Sequence, residues 1–355
     1  MKKAWIILLQ RLLVLISLSV ISGFMVFYSL EKEQVEIEFW YGNNQYFGKL
    51  GQPQKWINIL GNISGKNMVE KVTYTLNDGP EKALSLGTDL HRLAFEGDFN
   101  IEMDWEEVLK GKNRLGILVK KINGGSLAKS ITFYVKKGNN WPLPYSVNFA
   151  KVKNLQDAVQ VVDGHWKLVP DGVRTVQKWY DRVLAMGDTS WKNYETITKI
   201  TIHDFTPPEK GPPTYNVTHF GMAMRWRGHS KDNLQPSRKW YPLGAQGEFL
   251  IRTNPDSCQW RILFHGGKEA PPQVFAKGLL NSNLGKPIWL KCRVETLQNG
   301  NTQYSFKKWN EGENEPDKWD VTGIEKPDLD YPSGAQCLVP HNSDVTIHEV
   351  KISTF

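Results

Sequence analysis

The chain has 355 residues, of which 40% are hydrophobic and 12% aromatic, with 14 Trp and a formal charge of +7. That length accommodates two domains of ordinary size. The positive charge is spread thinly, with no Lys/Arg-rich run beyond the N-terminal segment, which argues against a nucleic-acid interface.

Residues 1–34 read as a membrane anchor. Lys2, Lys3 and Arg11 precede Leu12–Leu30, an uncharged apolar run of nineteen residues. Such a run suits a spanning helix at about 1.5 Å per residue. Glu31-Lys32-Glu33 follow it, so the positive-inside rule places the N-terminus in the cytoplasm and the bulk of the chain outside it. The alternative is a cleaved signal peptide, with Val20-Ile21-Ser22 ahead of Gly23, and it sends the rest of the chain to the same side.

Residues 35–138 are a succession of short strand-like runs: VEIEFWYG, KWINILGNIS, VEKVTYTLNDG, FNIEMDW, NRLGILVKKING and KSITFYVKKG. Asn77-Asp78-Gly79-Pro80 and Asn123-Gly124-Gly125 supply hairpin-type turns between them. This spacing predicts a β-sandwich. Asp104–Asn113, followed by LGILVKK, resembles the strand–turn–strand of bacterial immunoglobulin-like modules. The resemblance implies a spacer or a protein contact.

Within this region Glu102, Asp104 and Glu106 alternate, and residues two apart in a strand share a face. Three carboxylates on one face are what a retaining glycosidase uses. However, Glu106–Gly111 reads as a turn closed by glycine, which takes Glu106 off the face. The expected strand has Ile101, Met103 and Trp105 inward and Glu102 and Asp104 in solvent.

The Pro-bearing stretch 139–150 reads as a linker, and residues 151–355 as a second, larger β domain. Its strand-like runs include DGHWKLV, DRVLAMG, YETITKITIHDF, FGMAMRWRGH, GEFLIRT, CQWRILFH, IWLKCRVETL, QYSFKKWN and SDVTIHEVKISTF. No amphipathic helix is evident, so a large jelly-roll sandwich is predicted. Several segments carry a family pattern: Asp163-Gly164-His165-Trp166, Asp181–Glu195, Met222–His229, Pro287–Lys291, Tyr304–Trp309, Glu315–Asp320 and Val339-Pro340-His341-Asn342. In this order they resemble the concanavalin A-like lectin/glucanase superfamily, including its laminin-G-like and 3-keto-disaccharide hydrolase-like members. The predicted fold class is therefore all-β: a transmembrane helix, an immunoglobulin-like β-sandwich, then a concanavalin-like jelly roll. That fold hosts lectins, hydrolases and structural modules, so the resemblance leaves catalysis open.

Alternation along Phe220–His229 puts Gly221, Ala223, Arg225 and Arg227 on one face and Met222, Met224 and Trp226 on the other. Arginines offer planar forks to sugar hydroxyls or carboxylates, and Trp240-Tyr241 and Trp260 offer stacking surfaces. Arg225, Arg227, Trp240 and His341 are the candidate ligand-binding residues. No catalytic residue stands out. There is no G-x-S-x-G, the eight His show no metal spacing, and Cys258, Cys292 and Cys337 read as buried free thiols. No cofactor is expected; the acidic loop Glu311–Asp320 is solvated charge, with Ca²⁺ as its other reading. The expected activity is binding of a carbohydrate or envelope polymer by a membrane-anchored, extracytoplasmic protein. A glycoside-cleaving enzyme and a structural subunit of an envelope complex are the alternatives.

Overall fold

A computed structural model of the protein describes residues 34–205, 217–264 and 273–355. Among them the chain is all-β, its helices being single 3-10 turns. The expected anchor, Leu12–Leu30, lies outside the described residues. Among those described, no helix is long and apolar enough to cross a membrane.

The first region forms β1 (Ile37–Phe39), β2 (Asn44–Phe47), β3 (Trp56–Ile63), β4 (Val69–Leu76), β5 (Lys82–Ala83), β6 (Asp98–Asp104), β7 (Gly111–Lys121) and β8 (Ser126–Val135). These make a three-stranded sheet, β1-β3-β6, and a five-stranded sheet, β2-β8-β7-β4-β5, with β2 parallel to β8. In β7 the alternation is plain: Leu115, Ile117 and Val119 are buried while Arg114 and Lys120 are exposed. They share a core with Ile57, Ile59, Ile101 and Met103 of the small sheet.

That small sheet does not alternate. Nearly every residue of β3 and β6 is buried, because its second face lies against the following domain. Leu60 joins the core of that domain. The polar residues beside it meet partners there. Asn58 donates to Asn100 Oδ1 (2.9 Å), and Asn100 Nδ2 donates to Val162 O (2.8 Å) and Asp163 Oδ1 (2.9 Å).

Glu102, expected in solvent, is 6% exposed and belongs to this interface. Arg92 donates from Nη1 to Glu102 Oε1 (2.7 Å) and from Nε to Asp163 Oδ1 (2.8 Å), so it clamps one carboxylate from each domain. The solvent expectation fails because it assumed that a two-sheet module has a wet outer face. Asp104, by contrast, is half-buried at the end of the strand and caps the following turn by accepting from Glu106 N at 2.9 Å.

The second region forms β9 (Tyr145–Asn148), β10 (Gln160–Asp163), β11 (Trp166–Val169), β12 (Gly172–Thr175), β13 (Val183–Met186) and β14 (Tyr194–Asp204). It continues with β15 (His219–Trp226), β16 (Ala245–Leu250), β17 (Gln259–Phe264), β18 (Gln273–Phe275), β19 (Pro287–Thr296) and β20 (Thr302–Asn310). β21 (Val321–Glu325), β22 (Ala335–His341) and β23 (Asp344–Ser353) complete it. One sheet runs β10-β13-β22-β15-β16-β17-β18 and the other β11-β12-β23-β14-β19-β20-β21. Between them Phe220, Met222, Phe249 and Trp260 of the first sheet pack on Leu290, Val294, Tyr304 and Phe306 of the second. The three thiols are free and buried. The stretch 139–150 is tied down: β9 pairs with β23, and Trp141 is buried edge-on to Tyr145 at 5.4 Å.

The interface makes two predictions. Arg92→Ala strands two buried carboxylates and is expected to cost about 3–5 kcal/mol in urea denaturation. His229 is buried beside the same network, with Nε2 3.8 Å from Asp163 Oδ2. That carboxylate is already met by Arg92, and burial, reinforced by Arg92 and Lys55, holds the ring neutral with a pKa well below 6.5. Below the usual 6.5 the unfolded chain takes up a proton that the folded state refuses, so stability is full above it and falls as the pH drops. In His229→Gln the acid-side fall in stability should be shallower by about 1.4 kcal/mol per pH unit, measured by denaturation between pH 5 and 8.

Candidate functional site

The outward face of the seven-stranded sheet carries an open groove of about 250 Å³. Its floor follows from strand register. On β22, His341 stands directly opposite His219 of β15, and on β16, Glu248 stands opposite both Gly221 of β15 and Arg261 of β17. Residues with this pairing share a face, so His341, His219, Glu248 and Arg261 form a polar row across four strands. Gln246 lies two positions from Glu248 on the same face. Gly221 keeps the floor low, since a Cβ there would come within 3.2 Å of Gln246 Nε2 and Val339 Cβ.

Arg261 donates from Nε (2.8 Å) and from Nη2 to the same oxygen, Glu248 Oε2, and Gln246 Nε2 donates to Glu248 Oε1 at 3.0 Å. Burial raises the Glu248 carboxyl above its ordinary value, against the opposing pull of Arg261. His219 and His341 stack in parallel, with centroids 4.6 Å apart and 11° between the rings. Asp181, in the turn before β13, is 2.8 Å from His341 Nδ1 through Oδ1. Its backbone has φ 28°, a conformation few non-glycine residues adopt.

His219 is the least satisfied member. It is 4% exposed, and neither ring nitrogen has a hydrogen-bond partner among the described residues. Glu248 Oε2 is 3.7 Å from Nδ1, beyond a hydrogen bond. Burial, with His341 and Arg261 adding to it, keeps the ring neutral well below 6.5. A buried polar group left this way costs about 1–3 kcal/mol. Among the described residues, the group able to bring three metal-competent side chains together is Asp181, His219 and His341, with ligand atoms within 4.8 Å of one another.

Tyr180, Trp240 and Tyr241 form the aromatic rim of the groove. Trp240 leans on Trp226 (5.4 Å) and His229 (5.2 Å), and Trp226 Nε1 donates to Trp240 O at 3.2 Å. The interdomain network holds the loop that carries Trp240. Glu102 Oε2 accepts from Ser237 N (2.9 Å), Gln235 Nε2 donates to Glu102 O (3.0 Å), and Arg92 Nη1 donates to Ser237 O (2.5 Å). Arg182, next to Asp181, donates to Arg92 O at 3.1 Å. Both walls of the groove are thus braced by the N-terminal domain.

Of the residues singled out from sequence, Trp240 and His341 line the groove. Arg225 does not. A bulge interrupts the β15–β22 register between Ala223 and Trp226, and Arg225 has φ 55° there. The bulge turns Trp226 onto the outward face with Ala223 and Val339, and sends Arg225 between the sheets. Arg225 is 1% exposed, paired with Asp330 (2.6 Å) and bonded to Thr302 Oγ1 (2.9 Å) and Thr296 Oγ1 (2.7 Å). Gly334 admits this backbone, since a Cβ there would lie 2.3 Å from Arg225 C. Arg227 follows the strand, half-buried, with its N–H on Pro242 O. Trp260, a stacking candidate, is core.

The acidic loop does not gather a cation site. Glu311 pairs with Lys199, Glu313 binds Asn310, and Glu315 bridges Lys291 and Lys307. Asp320 accepts from Trp260 Nε1 and Lys308 N. Trp319 of this loop lies against the Lys307 ammonium at 4.8 Å and the Arg293 guanidinium at 5.4 Å.

No family model matches the sequence, and no curated protein matches it. Solved structures similar to part of the chain include the exoplasmic/lumenal domain of VIP36 in its Ca²⁺-bound form, at 11% identity and a TM-score of 0.39, covering 59% of this chain and 90% of that one. The Crh5 transglycosylase in complex with NAG has 8% identity and a TM-score of 0.35, covering 60% and 84%. A Bacillus subtilis protein of unknown function with a galectin-like fold has 10% identity and a TM-score of 0.33, covering 61% and 97%. At these scores the fold is described by its own sheets and the site by its own side chains.

Arg225→Ala removes one partner of a buried pair that lies between the sheets and outside the groove lining. It should lower stability by about 3–5 kcal/mol in denaturant titration. Any groove ligand should bind the folded variant as tightly as the parent.

Proposed function

We propose that the protein binds carbohydrate in this groove, on a concanavalin-like jelly roll. The observation that carries the reading is the fixed Gln246–Glu248–Arg261 row beside Trp240 and Tyr241. Sugars present hydroxyls that both donate and accept, together with apolar ring faces. A floor of held donors and acceptors under an aromatic rim answers both. Two packed antiparallel sheets of seven and eight strands support the jelly-roll reading. The parallel β2–β8 pair and the two-sheet order of the first domain support an immunoglobulin-like reading there. With Leu12–Leu30 as a membrane anchor, the groove would face away from the cytoplasm, towards an envelope polymer or another external glycan.

A second reading, glycoside cleavage, draws on Glu248. A carboxyl raised by burial is what a proton donor to a leaving group requires.

Glycan-array binding by the whole chain tests the first reading. Arg261→Ala should weaken it at least tenfold, as loss of charge-assisted bonds worth about 1.5–3 kcal/mol implies, and Trp240→Ala should weaken it too. No signal from the natural protein, or an equal one from Arg261→Ala, rules the assignment out. Product release from a bound glycan, lost in Glu248→Gln, would establish the second.

A further inference from the structure

We infer that the floor of the groove is a site for a divalent transition-metal ion of the zinc class, held by His219, His341 and Asp181 with one coordination position open to the groove. This inference does not depend on the glycan reading, because it rests on these side chains alone. Two imidazoles and a carboxylate are a donor set that zinc favours, and three protein ligands with a vacant fourth position is the pattern of an accessible site.

Three independent features point to it. The ligand atoms already lie within 4.8 Å of one another. Bound to zinc at about 2.0–2.1 Å they would stand closer, so the two stacked imidazoles would rotate out of parallel to close the set. Among the described residues, His219 is buried with both nitrogens unpartnered. A ligand at one nitrogen removes that defect. Finally, Glu248 Oε2 stands 3.7 Å from His219 Nδ1. That separation is beyond a hydrogen bond; a carboxylate that closes it on metal binding would orient the imidazole and leave Nε2 for the metal.

The location matters as much as the set. The ligands come from three places in the chain: the turn before β13, the start of β15 and the end of β22. They sit under the rim formed by Tyr180 and Trp240. An ion there would present its open position to whatever occupies the groove, and would take hydroxyl or carboxylate oxygens as its fourth ligand.

The test is calorimetric titration of zinc into the whole chain after chelator treatment, with no glycan present. The expected result is one zinc per chain at micromolar concentrations or below, with affinity reduced at least a hundredfold in His219→Ala and in His341→Ala. Glu248→Gln, acting through His219, should weaken binding by about 10–100-fold. Circular dichroism confirms that each variant is folded, and His219→Gln replaces His219→Ala if the latter is not. X-ray absorption on the loaded protein should show a nitrogen/oxygen shell with imidazole scattering. Absence of zinc uptake by the natural protein, unchanged uptake in the folded histidine variants, or a sulfur shell would overturn the assignment. Glycan binding on the array is read separately, so either result stands without the other.

Discussion

Everything at the groove depends on one buried arrangement of charge: the Arg92 guanidinium between Glu102 and Asp163. Removing two carboxylates and a guanidinium from water is costly, and the cost is recovered only when every donor and acceptor is placed well. Here Asn58, Asn100 and Ser237 N add hydrogen bonds to the two carboxylates, while Arg92 Nη2 and Asp163 Oδ2 have no hydrogen-bond partner among the described residues. Burial still pushes the Asp163 carboxyl up to about 7, against the pull of Arg92. Such a network tolerates little sliding, so it fixes the register of one sandwich on the other.

That fixed register is transmitted to the groove through short, direct links. Glu102 and Arg92 hold Ser237, three residues before Trp240, and Arg92 O holds Arg182, next to Asp181. The first domain therefore does more than precede the second. It sets the position of the aromatic rim and of the carboxylate that reaches His341. Glu102, which in sequence looks like part of a catalytic triplet, serves the site by positioning it.

Much of the architecture is written in alternation. Leu115, Ile117 and Val119 announce β7, and the strand-like runs of the second region recur as β11, β13 to β17, β19, β20 and β23, while β10, β12, β18, β21 and β22 fall outside them. Alternation is silent where both faces are covered. β3 and β6 have polar residues at positions buried by another domain, and a single strand's pattern cannot distinguish a buried Asn58 or Glu102 from a solvated one. It is silent again at a bulge: Arg225 and Trp226 exchange faces because one residue at φ 55° breaks the period. Of the groove, Trp240 and His341 are legible as an aromatic and a strand-end histidine. His219 lies one position before the run considered, and Glu248 and Arg261 sit singly inside apolar strands. A charged residue in the middle of a buried strand was the available signal. The histidine–carboxylate group has no spacing signature, because β-sheet order brings His341 beside His219 from distant points of the chain.

The small sheet β1-β3-β6, covered on both sides, has a consequence for how such a molecule can change over evolutionary time. Sandwich modules joined by exposed linkers are readily shuffled, duplicated or lost. Here an exchange at residues 139–150 would expose Leu60, Asn100 and Asp163 at once, and would release the loop that bears Trp240. The two halves behave as a single heritable unit, in which the specificity of the second can be tuned by substitutions in the first.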